Sequence, residues 1–161
     1  MAPFAPKLAR LIRWFIRVGI KKAGEYGLTQ FLDFASGLPT VDHIHSKAPE
    51  GTRIIYSDID PITVSPAKEI IGDNPLVKYE TCDIVKPETL LESDVVKTLF
   101  RDNHKVAIGY NGICYFLPDE QICHSMKVLY EWADEGSILF FTDLSKLINH
   151  QLCRGMRISD I

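Results

Sequence analysis

Hydrophobic and polar positions follow two different spacings along the chain. Between Lys7 and Tyr26, apolar side chains recur at helical spacing, and basic side chains form a second stripe. Beyond Gly27, short apolar runs alternate with stretches that carry helix-start signals such as Asp60-Pro61 and Ser93-Asp94. We therefore predict a long amphipathic helix after a frayed start at residues 1–6, followed by alternating strands and helices.

The apolar runs predict five strands, and the stretches between them predict helices. The strands fall at residues 30–34, 53–57, 76–80, 106–110 and 137–142. The helices run from Thr40 or Asp42 to Ala48, from Pro61 or Pro66 to Gly72, from Lys86 to Phe100 in two pieces, and from Pro118 to Gly136. A last helix at Ser145–Cys153 and a short terminal strand at Met156–Ser159 are further expectations.

Alternating strands and helices are typical of an α/β fold with right-handed crossovers. With 161 residues, 46% of them hydrophobic, the chain can build one substantial core. We predict a single domain that contains a doubly wound, mostly parallel sheet of about five to six strands. The fifth strand lies at an open edge unless the terminal residues cover it, so we also expect self-association, as a homodimer, through that edge.

Charge and cysteine content restrict the class of partner. The net charge is −3 and the isoelectric point about 5.9, so no overall positive field favours nucleic acid. The first helix is too charged to span a membrane, and its basic face is predicted to be solvated. Four cysteines without a Cys-x-x-Cys pair indicate reduced thiols in a cytoplasmic protein. His43 and His45 are two residues apart and do not face one another on a helix, so we expect no metal site there.

Polar side chains follow four of the predicted strands. Asp33, Asp58, Asp83 and Asn111 lie at carboxyl-terminal strand ends, where open parallel sheets bind ligands at the switch point. The small turn after the first strand includes Gly37, which tolerates positive φ and lets backbone amides approach a ligand. Asp58 lies 21 residues beyond Gly37, which is close to the spacing between a nucleotide-binding turn and the acid that accepts both ribose hydroxyls. Asp83 is an acceptor suited to the exocyclic amine of adenine.

The same turn discriminates between nucleotides. A pyrophosphate would face the carboxylate of Asp33, and Pro39 has no N–H with which to bind it. An adenosine that carries a cationic amino group and a sulfonium is favoured by charge. These residues predict S-adenosylmethionine as the cofactor and make a nicotinamide-dependent oxidoreductase the less favoured alternative.

Three segments carry a family resemblance. Asp33–Thr40 matches the motif D-x-G-T-G-L-P-T apart from Ala35 and Ser36, Tyr56–Pro61 is similar to a V-D-N-D-P turn, and Ile113–Glu120 is similar to V-L-H-F-V-P-D-E. These motifs occur in a predicted subfamily of the Rossmann-like (class I) S-adenosylmethionine-dependent methyltransferases. The chain resembles that subfamily over nearly its whole length, which implies a Rossmann-like methyltransferase core that is truncated at the carboxyl-terminal end.

The resemblance implies a cofactor site at the ends of four strands. In that site, Asp33, Ala35, Ser36 and Gly37 would hold the methionine part, Asp58 the ribose with Ile59 beside it, Cys82, Asp83 and Ile84 the adenine, and Asn111 and Gly112 the sulfonium side. Methyl transfer is an in-line displacement that needs mainly proximity and alignment, so the resemblance requires no metal and leaves the catalytic residues undefined. Tyr110, Tyr115 and His124 are candidates for the substrate side, with packing as their alternative role.

Two functions are consistent with these residues. The first is methyl transfer to an unidentified, small-molecule acceptor. The second is a catalytically inactive cofactor-binding or interaction protein, because Ala35 and Tyr115 replace a glycine and a histidine of the subfamily, and segments that shape the acceptor pocket are expected to be short or missing. We expect no nucleic-acid or membrane partner in either case.

Overall fold

The computed structural model describes residues 5–40 and 43–142, with side chains from residue 9 onward. Strands and helices alternate along the chain, as the sequence predicts. The strands are β1 (Gln30–Phe34), β2 (Arg53–Asp58), β3 (Val77–Thr81), β4 (Ala107–Tyr110) and β5 (Ile138–Phe141). The helices are α1 (Ala5–Glu25), α2 (Pro61–Ile71), α3 (Glu88–Leu91), α4 (Asp94–Phe100) and α5 (Asp119–Trp132), with 3-10 turns at Ile44–Ser46 and Cys114–Phe116.

The five strands form one parallel sheet in the order β3-β2-β1-β4-β5. The chain runs outward from β1 to β3 and then crosses back to β4 on the other side of β1. Asp33 at the end of β1 lies in register with Tyr56 of β2 and with Gly109 of β4. The predicted doubly wound α/β fold is therefore confirmed, and its strand order reverses between β1 and β4.

Two apolar clusters cover the two faces of the sheet. On one face, Phe31 and its neighbours pack with α1, the Ile44–Ser46 turn and α2. On the other face, Leu32 and its neighbours pack with α3, α4 and α5. Helix α1 lies close to the sheet at Gly19, where an added methyl group would come within 2.9 Å of the Phe140 ring. Successive residues of β1 therefore serve opposite layers, as expected for a strand buried on both sides.

The connection between β1 and β2 differs from the prediction. We predict a helix from Thr40 or Asp42 to Ala48, but the described part of this segment contains only the 3-10 turn Ile44–Ser46. No side-chain cap bond forms at His43, and the amide of His45 donates to the Tyr56 hydroxyl (2.9 Å). A tertiary hydrogen bond therefore overrides the local helix signals.

Helix α2 distinguishes between its two predicted starts. It begins at Pro61, and the side chain of Asp60 accepts a hydrogen bond from the Ile62 amide (2.9 Å). Pro66, the alternative first residue, lies inside the helix instead. Asp60 is thus the N-cap, with proline at the first helical position, where its missing N–H has no consequence.

The predicted helix Ser145–Cys153 and strand Met156–Ser159 lie outside the described residues. None of the helices described between Ala5 and Trp132 is both long and apolar enough to cross a bilayer.

Candidate functional site

The candidate site lies where the strand order reverses, at the carboxyl ends of β1 and β4. Open parallel sheets bind ligands there because the loops after these two strands diverge and leave a crevice. Both loops use the left-handed region of the backbone: φ is 51° at Ala35 and 63° at Gly37 after β1, and 74° at Gly112 after β4. A Cβ built on Gly37 meets no atom within 4 Å, so this side of the turn is open.

Ser36 fixes the turn after β1. Its hydroxyl donates to the Asp33 carbonyl oxygen (2.6 Å) and accepts a hydrogen bond from the Ser57 amide (3.3 Å). Its own amide donates to the Ser57 carbonyl oxygen (2.9 Å). Ser36 therefore ties the turn to the end of β2 through both backbone and side chain.

Asp33 carries a buried carboxyl group. The residue is 5% exposed, and a methyl group added to Gly109 would collide with its carboxylate oxygen, so the glycine provides the space that Asp33 occupies. Burial raises the pKa of Asp33 from 3.8 to about 7, although Ser36 offsets part of this effect. Near neutral pH, the group is therefore able to ionise when a cation binds beside it.

Asp58 and Tyr79 hold the two peptide groups of Gly37. One carboxylate oxygen of Asp58 accepts a hydrogen bond from the Gly37 amide (3.1 Å), and the other accepts one from the Asp60 amide (3.0 Å). The Tyr79 hydroxyl donates to the Gly37 carbonyl oxygen (2.9 Å). Each oxygen of the half-buried Asp58 has a second lone pair, so this carboxylate can also accept hydrogen bonds from a ligand.

The segment after β3 brings a polar residue between two buried apolar ones. Cys82 and Ile84 are buried and Asp83 is half-buried. The Asp83 carboxylate accepts a hydrogen bond from the Val85 amide (3.0 Å). Burial raises the pKa of the Cys82 thiol to about 11, so the thiol stays protonated and offers an apolar contact rather than a nucleophile. At the end of β2, Ile59 is 59% exposed and adds a further apolar surface.

Asn111 is the most informative residue of the site. It is 8% exposed, yet neither its Oδ1 nor its Nδ2 has a hydrogen-bond partner within the described part of the chain. A buried polar group without a partner costs about 1–3 kcal/mol, so a ligand that supplies a donor and an acceptor would remove an existing penalty. The residues present at this position therefore fit a polar ligand.

The loop after Asn111 is hydrogen-bonded to Thr142, the residue that follows β5. The Gly112 amide donates to Thr142 Oγ1 (2.9 Å), and the Tyr115 hydroxyl donates to the same oxygen (3.4 Å). Ile12 of α1 lies 3.6 Å from the position that a Cβ on Gly112 would occupy. Tyr115 and α1 therefore flank the side of the site formed by the β4 loop.

Residues 1–157 match the sequence profile described as S-adenosyl methyltransferase. The chain belongs to the S-adenosyl methyltransferase family. S-adenosylmethionine, the cofactor predicted from the sequence, is the cofactor of this family, and that prediction is confirmed. Among curated protein sequences, none matches this chain significantly.

Solved structures resemble this member of the S-adenosyl methyltransferase family over most of its length. A proposed methyltransferase from Thermobifida fusca YX is 28% identical, with a TM-score of 0.80, and the match covers 90% of this chain and 56% of that protein. A duf574 family protein from Streptomyces avermitilis MA-4680 is 29% identical, with a TM-score of 0.74 and coverages of 87% and 56%. An S-adenosylmethionine-dependent methyltransferase from Clostridium acetobutylicum ATCC 824 shares the fold at 16% identity, with a TM-score of 0.55 and coverages of 80% and 48%. The chain spans little more than half the length of the first two structures.

Two of the predicted substrate-side residues take part in helix packing. The hydroxyl of Tyr110 is hydrogen-bonded to Ser125 Oγ of α5 (3.0 Å) in the core. His124 of α5 lies 3.2 Å from a carboxylate oxygen of Glu88 in α3.

The eleven residues predicted to bind the cofactor all lie at the carboxyl ends of β1 to β4. Their binding roles remain predictions.

The predicted histidine pair packs around a buried tyrosine. The rings of His43 and His45 stack with centroids 6.3 Å apart, and both meet the Tyr56 ring edge-on. Among residues 5–40 and 43–142, no group of three or more His, Cys, Asp or Glu side chains is arranged to hold a metal ion.

Three further residues shape the site but are absent from the sequence-based prediction: Gly109, Tyr79 and Thr142. Gly109 does carry a signal, because a glycine within an apolar strand often marks a close approach of another group. Tyr79 and Thr142 carry no such signal, because each acts through a hydrogen bond to a loop that follows a different strand. Tyr79 bonds to Gly37 after β1, and Thr142 bonds to Gly112 after β4. Only the strand order brings those partners together.

Proposed function

We propose that the protein is an S-adenosylmethionine-dependent methyltransferase that acts on a small-molecule acceptor. The observation that carries the proposal is the position of a buried carboxyl group on Asp33 and an unpaired, buried amide on Asn111 at one switch point. The first suits a cationic amino group, and the second suits a polar group beside it. Family membership supports the reaction class, and the motif at Asp33–Thr40 supports assignment to the D-x-G-T-G-L-P-T subfamily.

Each strand end has a proposed contact with the cofactor. The methionine part lies against the turn of Asp33, Ala35, Ser36 and Gly37, the ribose against Asp58 and Ile59, the adenine against Cys82, Asp83 and Ile84, and the sulfonium side against Asn111 and Gly112. S-adenosylmethionine supplies the activated methyl group. The residues of the chain bind and orient it, which supplies the proximity and alignment that an in-line transfer needs.

Titration calorimetry with S-adenosylhomocysteine and with NAD tests this proposal. We expect saturable binding of the first ligand and none of the second. Asp58→Ala should weaken S-adenosylhomocysteine binding about tenfold or more, because two ribose hydroxyls lose a charged acceptor. The control is Asp73→Ala, which removes an exposed carboxylate from the turn after α2 and should leave the affinity unchanged.

Two outcomes would overturn the proposal: no binding of S-adenosylhomocysteine by the folded protein, or unchanged affinity in Asp58→Ala. Transfer of radiolabelled methyl groups to a panel of small amines, alcohols and thiols then tests the reaction itself. Binding without transfer to any of them would favour the alternative of a catalytically inactive cofactor-binding protein.

We further propose a cytoplasmic protein that forms homodimers through the open edge of β5. Within the described residues, β5 pairs with β4 alone, and an unpaired edge is a template for a second chain. The buried thiol of Cys82, which forms no disulfide, suits a reducing compartment. The net charge of −3 gives no support to a nucleic-acid partner.

A further inference from the structure

Tyr79 is a buried tyrosine whose hydroxyl reaches the candidate cofactor turn. It lies in the middle of β3, is 2% exposed, and stacks on Tyr56 with ring centroids 6.0 Å apart. Its hydroxyl donates to the Gly37 carbonyl oxygen (2.9 Å), although β2 lies between β3 and β1 in the sheet. An edge strand thus supports a turn that belongs to the central strand.

With the hydrogen bond from Tyr79, both the amide and the carbonyl group of Gly37 have a side-chain partner. The amide of this residue donates to Asp58 and its carbonyl oxygen accepts from Tyr79, so both of its peptide groups are fixed while φ stays at 63°. Glycine has more backbone freedom than any other residue and loses the most on ordering. A turn that is already ordered binds its ligand without that loss, which increases affinity.

We infer that Tyr79 is a positioning residue for the methionine end of the cofactor and acts through the Gly37 carbonyl group. This inference rests on the proposed function. S-adenosylhomocysteine carries the amino-acid part that the turn would bind, whereas 5′-methylthioadenosine shares the adenosine and the sulfur but lacks that part. Loss of the Tyr79 hydroxyl should therefore weaken the first ligand and spare the second.

A purely structural role for Tyr79 would have a different consequence. A buried phenol needs a hydrogen-bond partner, and the Gly37 carbonyl oxygen satisfies that need. If this were the whole role, removal of the hydroxyl would lower stability, and any effect on binding would be equal for the two ligands. Burial also raises the pKa of Tyr79, so its hydroxyl remains a donor throughout the neutral range.

Tyr79→Phe removes the hydroxyl and keeps the ring. Tyr56→Phe is the matched control, because Tyr56 is equally buried and its hydroxyl bonds to His45 (3.0 Å to Nδ1) rather than to the turn. By calorimetry, we expect S-adenosylhomocysteine to bind about tenfold more weakly to Tyr79→Phe, and 5′-methylthioadenosine to change by less than about twofold. Tyr56→Phe should change both by less than about twofold.

Equal weakening of the two ligands, or no weakening, would overturn the inference. Absence of S-adenosylhomocysteine binding to the unmodified protein would instead overturn the proposed function, and it is seen before any variant is made. An NMR measurement on the unmodified protein does not depend on how the variant folds. We expect a slowly exchanging Tyr79 hydroxyl proton that S-adenosylhomocysteine slows further and 5′-methylthioadenosine does not, and fast exchange in all three states would contradict the role.

Discussion

The carboxyl group of Asp33 opposes the stability of the fold that buries it. Its pKa is about 7 in the folded protein and 3.8 when exposed, so between these values the folded state keeps a proton that the unfolded state has released. Stability must therefore fall as the pH rises through this window. At pH 8, we expect Asp33→Asn to raise the free energy of unfolding by on the order of 2–4 kcal/mol, measured by denaturant unfolding. At pH 4, the free energies of unfolding of the variant and the unmodified protein should be nearly equal.

The same variant should lose function as it gains stability. An amide at position 33 cannot balance a cationic amino group, so we expect at least about tenfold weaker binding of S-adenosylhomocysteine. Asp73→Asn, at an exposed position, should change neither property. A lower stability of Asp33→Asn at pH 8 would show that the carboxyl group is already paired, and unchanged affinity would remove Asp33 from the binding site.

Gly109 and Gly24 give a matched pair of substitutions. A methyl group at Gly109 collides with the Asp33 carboxylate, whereas one at the exposed Gly24 in α1 meets no atom within 4 Å. Gly109→Ala should therefore destabilise the protein by about 1–3 kcal/mol. Gly24→Ala should stabilise it by up to about 1 kcal/mol, because alanine is the better helix former. Thermal unfolding of both variants checks the prediction, and equal effects would contradict the described packing of Asp33.

Pro66 weakens helix α2 from within. It has no N–H to donate to the Ile62 carbonyl one turn earlier, which costs up to about 3 kcal/mol, although proline also restricts the unfolded chain. Combining these opposing effects, we expect Pro66→Ala to raise the free energy of unfolding by about 1–2 kcal/mol. Denaturant unfolding measures it, and a loss of stability would indicate that the proline ring contributes packing that outweighs the missing hydrogen bond.

The elements that sequence predicts well are those with local signals. Ser93 illustrates this, because its hydroxyl accepts a hydrogen bond from the Val96 amide (3.3 Å) and caps α4 where the sequence places a helix start. The turn at Ile44–Ser46 could not be predicted, since the competing hydrogen bond comes from Tyr56 in the next strand. Element boundaries thus depend on tertiary contacts wherever a polar side chain of another element offers the backbone a partner.

Some features of the candidate site can likewise be predicted from local sequence, whereas others depend on tertiary contacts. The strand-end acids and the small turn are visible in the sequence because they follow apolar runs directly. The burial of Asp33 and the unpaired amide of Asn111 depend on the register of β1 against β4, two strands that are distant in the chain. No local pattern encodes that pairing, so the ligand type could be predicted but the electrostatic state of its site could not.

At the scale of the whole molecule, the outer edge of β5 decides the proposed self-association. The amide of Ile138 donates to the Val106 carbonyl oxygen (3.0 Å), so the alternate amide of Leu139 points away from β4. Leu139→Pro should therefore remove an edge donor without breaking the ladder to β4. Leu139→Ala is the control, since it shortens the same side chain and keeps the donor.

Multi-angle light scattering over a range of concentrations measures the outcome. We expect the unmodified protein and Leu139→Ala to form dimers and Leu139→Pro to be monomeric. A clean monomer of the unmodified protein at every concentration would contradict association through this edge.

The order of the strands in the sheet also determines when the site can form during translation, because β1 lies between β2 and β4. Strand β1 can pair with β2 once residue 58 has left the ribosome, but it gains β4 only after residue 110. At about 5–20 residues per second, this interval lasts roughly 3–10 s. Throughout it, the turn after β1 is present without Asn111, and one edge of β1 stays open to other chains. The cofactor can therefore assist the nascent protein only after this interval has ended.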